Sequence, residues 1–254
     1  MGYSPFEPRV LPIIIVYIIL IISGSIVTYK ILRKYFERKQ PAALHLAIVY
    51  TFFTLAIIVL AIGLTEAIIT GYYMEIYRFS LPLAYSMVVI ANIFLYLFAS
   101  RITDKWKSAF IPIILIGVLL IIILFLPWNW WGYPREDYAG KFNIRLYTNI
   151  AFITFAYVIY SMIAYICYKT KSKSEDPISR VGLLLLFYSM VSMMLFFLMV
   201  LFDNLLIVLY GHPGYSEFQF ASWLFAFLFV VLTYFSLVMP EWLIKRIKKE
   251  EVKY

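Results

Sequence analysis

Long stretches without Asp, Glu, Lys or Arg alternate with short charged segments along this chain. Seven stretches each reach the roughly 20 residues that a helix needs to cross about 30 Å of hydrocarbon. The alternating polarity of transmembrane β-strands is absent. The pattern predicts seven transmembrane helices, at Leu11–Tyr29, about Ala42–Ile69 with Glu66 inside it, Ser80–Ser100, within Ser108–Pro134, Leu146–Tyr168, Val181–Phe202 and Phe218–Pro240. Leu-Pro pairs at Pro12, Pro82 and Pro127 are expected to mark helix ends.

The basic residues are unevenly divided between the two sides of this predicted bundle. Seventeen of the 22 Lys and Arg residues fall in the first, third and fifth loops and in the tail, and five fall on the other side. Cytoplasmic loops carry such an excess of Lys and Arg. The asymmetry therefore predicts an outside N-terminus and a cytoplasmic C-terminus. The net charge of +8 reflects membrane insertion, and no nucleic-acid partner is expected.

Composition agrees with a membrane protein. Hydrophobic residues make up 64% and charged residues 14% of the 254 residues, whereas a soluble domain is about half apolar and about a quarter charged. We therefore expect an all-α membrane protein, with residues 1–240 forming the seven-helix domain in the cell membrane. Residues 241–254 form a basic amphipathic tail.

Polar side chains in the predicted spans are the first candidates for a binding site, because ionisable groups in a membrane are costly. Counting from the span boundaries places Glu66, Asn149 and Asp203 near the outer interface and Asn92 near mid-bilayer. These residues are expected to line an outward-facing pocket. Two alternatives stay open: solvation of the two acids at the interface, and an interhelical hydrogen bond for Asn92. The absence of an acid or base at mid-depth argues against a proton pump.

The outer loops are rich in aromatic residues. Trp128, Trp130 and Trp131 crowd the fourth loop between Pro127 and Gly132. They are expected to form a folded lid over Glu66 and Asp203 that closes a site for an apolar or cationic ligand. An aromatic belt at the membrane interface is the alternative.

Neither histidine nor cysteine indicates a metal or catalytic site. His45 and His212 are predicted on opposite sides of the membrane, so they cannot share a metal ion. His212, beside Glu217, is a candidate ligand or pH-sensing residue. Cys167 is the only cysteine and has no predicted histidine partner.

The tail after Pro240 has the pattern of a short surface helix. Trp242, Leu243 and Ile247 are expected to share one face of it. The tail also supplies candidate contacts with anionic lipid or with a cytoplasmic partner, at Trp242, Lys245, Arg246 and Lys249.

Two short motifs, Met239-Pro240-Glu241-Trp242-Leu243 and Asn129-Trp130-Trp131-Gly132, together with the seven spans, resemble the seven-helix sensor region of some archaeal and bacterial histidine kinases and of stand-alone archaeal relatives. The resemblance implies sensing of a ligand or of the state of the membrane. The chain differs from opsins because Phe218–Pro240 contains no Lys to form a retinal Schiff base. No cofactor is therefore expected.

The sequence therefore predicts a receptor-like sensor that responds to a small molecule or a lipid and relays a signal to a separate cytoplasmic protein. A small-molecule transporter is the alternative. A lipid-modifying enzyme ranks third, because no paired acids, metal cluster or nucleophile–base set is expected at one depth.

Overall fold

The computed structural model describes residues 3, 5–39, 41–103, 107–126, 129, 144–212 and 214–251. Within these residues the chain forms eight α-helices and no β-strand; Pro5 and Tyr72 form one isolated bridge. The helices are α1 (Leu11–Arg38), α2 (Pro41–Thr70), α3 (Glu75–Thr103), α4 (Phe110–Leu124), α5 (Arg145–Lys171), α6 (Pro177–Tyr210), α7 (Glu217–Leu237) and α8 (Glu241–Glu251).

The seven predicted spans are confirmed, because α1 to α7 are each long and apolar enough to cross a membrane, counting for α4 the 3-10 turn Lys107–Ala109 before it. Helices suit this environment since their backbone groups are hydrogen-bonded within the segment, where no water is available. The chain is therefore a multi-pass membrane protein by the length and composition of its helices.

Local sequence explains several helix ends. Asp176 caps α6 by accepting a hydrogen bond from Ser179 N at 2.9 Å, and Pro177 follows at the first helical position. The hydrogen bonds from Ser179 lower the pKa of the Asp176 carboxyl. Gly211 ends the same helix with a φ of 66°, a conformation that glycine adopts without steric cost.

Pro82 does not mark a helix end, so that prediction is wrong. The third helix begins at Glu75 and continues through Pro82. Near its start, the Glu66 carboxylate of α2 accepts a hydrogen bond from Tyr77 N at 2.8 Å. An orphan N–H of the first turn is thereby satisfied by a neighbouring helix, which lets α3 start before its proline.

The helices form a closed ring around a central space. Each of the pairs α1–α2, α2–α3, α5–α6 and α6–α7 packs together, and α3–α5 and α1–α7 contacts complete the ring. The fourth helix packs outside it against α3 and α5. We refer below to the end where α1 begins as the N-terminal end, and to the end that carries α8 as the basic end.

The eighth helix is separate from α7. The break falls at Val238–Pro240, where Met239 has a φ of 44°, and α8 then packs against α6. Leu243 and Ile247 are half-buried, whereas Trp242 is 57% exposed. The expectation that all three share one face is therefore wrong. At about 100° per residue, Trp242 lies only about 40° from Arg246 and is grouped with the basic residues.

Candidate functional site

A cavity of about 140 Å³ lies inside the ring, with room for on the order of ten water molecules or one small organic molecule. It extends from the N-terminal end, where Arg145 and Gln219 line it, to Gly24, Thr54 and Met193. These last three residues lie near the middle of α1, α2 and α6. The lining continues past them to Tyr50 of α2 and to Phe229 and Val230 of α7, so the cavity occupies the N-terminal half of the bundle and reaches about one turn beyond its middle.

Asp203 is the acid of this cavity. Its side chain is on α6, only 6% of the residue is exposed, and it lines the cavity. The carboxylate oxygen Oδ1 accepts a hydrogen bond from Ser216 N at 2.8 Å. That contact joins α6 to the residue before α7. The second oxygen, Oδ2, has no hydrogen-bond donor among the described residues.

Two asparagines beside Asp203 form a buried amide pair. Asn149 of α5 donates from Nδ2 to Asn204 Oδ1 of α6 at 2.8 Å. Asn204 in turn donates to Val200 O, one turn away in its own helix, at 2.8 Å. Both amides line the cavity. Such an interhelical bond fixes the level of α5 against α6.

Arg145, the first residue of α5, is the basic residue that lines the cavity. Its guanidinium lies near the side chains of Tyr85, Tyr77 and Asp203. The Tyr77 hydroxyl also lies 2.5 Å from the Tyr215 hydroxyl. Burial is the main cause that raises the pKa of Tyr215, so this phenol stays neutral and can donate or accept a hydrogen bond.

Aromatic rings line the deeper part of the cavity. Trp223 meets Tyr17 and Phe196 edge-on, with ring centroids 4.8 and 5.5 Å apart. Further along, Phe229 stacks on Tyr50 at 5.6 Å. The Trp223 indole Nε1–H is buried and has no hydrogen-bond partner among the residues that the structure describes. The cavity is therefore polar toward the N-terminal end and aromatic toward its middle.

The structure brings together two of the predicted site residues, Asn149 and Asp203, at the cavity. Glu66 does not line it, because its carboxylate binds the start of α3. His212 does not line it either; its Nδ1 accepts a hydrogen bond from Gly214 N at 3.1 Å. The predicted lid of Trp128, Trp130 and Trp131 lies outside the described residues.

Asn92 does not line the cavity but lies one turn past the lining residue Val88 on α3, toward the basic end. It is fully buried, and its Oδ1 accepts a hydrogen bond from the Tyr160 hydroxyl at 2.8 Å. Its amide nitrogen has no partner among the described residues. The contact is the interhelical hydrogen bond that the sequence analysis kept as an alternative.

The tail residues proposed for lipid or partner contact lie together on α8. Trp242, Lys245, Arg246 and Lys249 are all exposed. Trp242 meets the ring of Phe235 edge-on at 5.8 Å, so its ring stays beside the end of α7. The arrangement leaves a basic surface with one aromatic residue at the basic end of the bundle.

Sequence reasoning missed four cavity residues: Arg145, Asn204, Tyr215 and Trp223. The predicted fifth span begins at Leu146, the first uncharged residue after Arg145. Arg145 therefore falls in the loop before that span. Its spacing of four from Asn149 was the available signal, since residues i and i+4 share one face of a helix. Tyr215 and Trp223 carried no signal separating them from the other aromatic residues.

The described residues contain no group of three or more His, Cys, Asp or Glu side chains placed to hold a metal ion. Comparisons with protein-family models, with curated proteins and with solved structures find no match for this chain.

Proposed function

We propose that this protein is a receptor-like sensor of the cell membrane that binds a small ligand in the cavity and relays its presence to a cytoplasmic partner. In this proposal the N-terminal end faces outside and the basic end faces the cytoplasm. The basic asymmetry of the loops supports that orientation. The resemblance to the sensor regions of histidine kinases supports the same role.

The observation that carries the proposal is that the cavity ends about one turn past mid-bundle, at Tyr50, Phe229 and Val230. Past it, toward the basic end, polar contacts join the helices. Ser189 and Thr233 share a hydrogen bond of 2.6 Å between α6 and α7, and both residues are completely buried. A cavity closed on one side in this way suits binding and response, whereas a transporter must open each end in turn.

A physical route for the response runs along α6 and α7. These helices are joined at the cavity by Asp203 and Ser216. They are joined again near the basic end, where Ser236 Oγ donates to Gly182 O at 2.8 Å. The eighth helix follows directly and packs on α6. A ligand that moves α7 against α6 would therefore displace α8, by shifts of about 1–2 Å typical of packed helices.

The response can be tested without knowing the ligand, by filling the cavity. Ala226 lines it, so Ala226→Leu places three additional carbon atoms in the space. We expect a changed distance between spin labels at Ser172 and Lys249, measured by pulsed electron resonance in a Cys167→Ala background. Leu224→Phe is the matched control, since Leu224 is 59% exposed on the same helix. Equal distances in all variants would count against a sensor.

The transporter alternative is separated by thiol labelling. Thr233→Cys, also in the Cys167→Ala background, places a thiol past the cavity. The sensor proposal expects no reaction with a charged maleimide from either side of the membrane, whereas Ser172→Cys, in an exposed turn, reacts. Labelling of Thr233→Cys from the basic end would favour alternating access.

A further inference from the structure

The cavity carries one acidic and one basic side chain. Among its lining residues, Asp203 and Arg145 are the two whose side chains are charged at neutral pH. They interact electrostatically with each other, so the lining is neutral overall. A ligand with a single charge would meet one attractive and one repulsive group. A ligand with both charges can satisfy each of them.

The helix register places these two charges at different levels. Asn149 and Asn204 are hydrogen-bonded, and Asp203 is the neighbour of Asn204 in the chain. Arg145 begins α5 four residues before Asn149, which is about 6 Å of helix. The backbone of Arg145 therefore lies about one turn nearer the N-terminal end than that of Asp203.

Asp203 has an open hydrogen-bonding position. The Ser216 N–H occupies Oδ1, while Oδ2 lacks a donor among the described residues although the residue is 94% buried. This oxygen is not among the fully buried atoms that lack a partner, so it lies at the surface of the cavity, where it can accept a hydrogen bond. An ammonium group in the cavity would supply one. Arg145 has five N–H donors, enough to hold a carboxylate alongside its contacts within the protein.

The aromatic part of the cavity has a second open position. Trp223 follows Ser216 by seven residues, so its backbone lies about 10 Å further toward the middle of the bundle. Trp223 is also 94% buried, and no described residue accepts a hydrogen bond from its indole N–H. The surrounding rings of Tyr17 and Phe196 suit an apolar or aromatic group that carries a hydrogen-bond acceptor at its far end.

We propose that the cavity binds a zwitterionic small molecule of the α-amino acid class with an aromatic side chain. Its ammonium group binds Asp203, its carboxylate binds Arg145, and its side chain lies among the rings beside Trp223. A para-hydroxyl on that side chain accepts the Trp223 N–H. This proposal rests on the proposed function, in which the cavity is the ligand site.

The test uses the whole protein in neutral lipid nanodiscs and four matched probes. These are L-tyrosine, L-phenylalanine, phenethylamine, which lacks the carboxylate, and 3-phenylpropionate, which lacks the ammonium group. Calorimetric titration should show binding of both amino acids and at least tenfold weaker binding of the two truncated probes. L-tyrosine should bind more tightly than L-phenylalanine.

Three variants test which residue binds each group of the ligand. Asp203→Asn, which keeps the acceptor for Ser216 N, should weaken L-phenylalanine at least tenfold but not 3-phenylpropionate. Arg145→Gln should weaken L-phenylalanine but not phenethylamine. Trp223→Phe keeps a ring but removes the N–H, so it should remove the preference for L-tyrosine. Thermal melting of each variant confirms that the bundle is folded.

Phenethylamine that binds as tightly as L-phenylalanine would overturn the proposal in favour of a simple cation site. No binding of any probe at millimolar concentration, or a lipid recovered stoichiometrically from the purified protein and lost in Ala226→Leu, would also overturn it. The sensor proposal would survive both outcomes if Ala226→Leu still moved α8, because that experiment uses no ligand.

Discussion

The hydrogen bond between Tyr160 and Asn92 links α5 to α3 at mid-bundle, where both residues are completely buried. An unpaired polar group has no access to water there, so its loss of a partner has a free-energy cost. The Asn92 amide nitrogen already lacks a hydrogen-bond partner within the described part of the chain. The hydrogen bond from Tyr160 therefore offsets part of the free-energy cost of burying the Asn92 amide.

Tyr160→Phe should lower the free energy of unfolding by about 0.6–1.7 kcal/mol, the range for hydrogen bonds between membrane helices. The variant leaves both polar atoms of the Asn92 amide without a partner. Replacing both partners, in Asn92→Leu with Tyr160→Phe, should cost less than the two single changes added together. Denaturant unfolding in mixed micelles measures this, with the exposed Tyr165→Phe as control. Strictly additive costs would contradict a coupled pair.

For individual residues, the sequence could predict which polar side chains lie inside the spans, but it could not predict their hydrogen-bond partners. Depth counting placed Asn149 and Asp203 near one end, and both line the cavity. The same counting gave Glu66 an equivalent position, yet its carboxylate binds Tyr77 N. The difference depends on the packing of α2 against α3, which hydrophobic patterning does not specify.

The packing of α2 against α3 depends on Gly63. A Cβ at this position would lie 2.8 Å from Ser80 Cβ and 3.0 Å from the backbone Tyr77 Cα. Small residues allow membrane helices to approach this closely. The same approach brings Glu66, one turn away, to Tyr77 N at 2.8 Å.

Gly63→Ala should destabilise the protein by about 1–3 kcal/mol, because the backbone of α3 must move to admit the methyl group. Gly24→Ala is the matched control, since the three atoms nearest to its new Cβ all belong to the side chain of Thr54, and it should cost less. The midpoints of thermal unfolding in one detergent compare the two variants. Equal losses would show that the α2–α3 contact is not especially close in solution.

The exposed basic surface of α8 should bind anionic headgroups, at about 1 kcal/mol for each Lys or Arg near the membrane surface. A spin label at Lys245 should be less mobile in nanodiscs with anionic lipid than in neutral ones, and 1 M salt should remove the difference. A label at Ser172 serves as the control. Equal mobility of the Lys245 label in both lipids would contradict lipid binding by α8.

For the whole molecule, the number of spans could be predicted from the uncharged stretches of the sequence. The arrangement of the helices in a ring could not. The fourth helix is as apolar as its neighbours, yet it packs outside the ring and is the least buried of α1 to α7, together with its preceding turn. Apolar residues on every side suit lipid and protein contacts equally. The sequence alone therefore could not show that α4 leaves the cavity to six other helices and contributes only Leu124 to its wall.

The orientation of the molecule is predicted from 17 of 22 basic residues at one end, since Lys and Arg near span ends are retained in the cytoplasm. Tyr210 is 80% exposed at the N-terminal end, and Lys249 is exposed at the basic end. In a Cys167→Ala background, a membrane-impermeant maleimide should label Tyr210→Cys on intact cells and Lys249→Cys only after permeabilisation. The opposite labelling would place the basic end outside, and the ligand cavity would then open toward the cytoplasm.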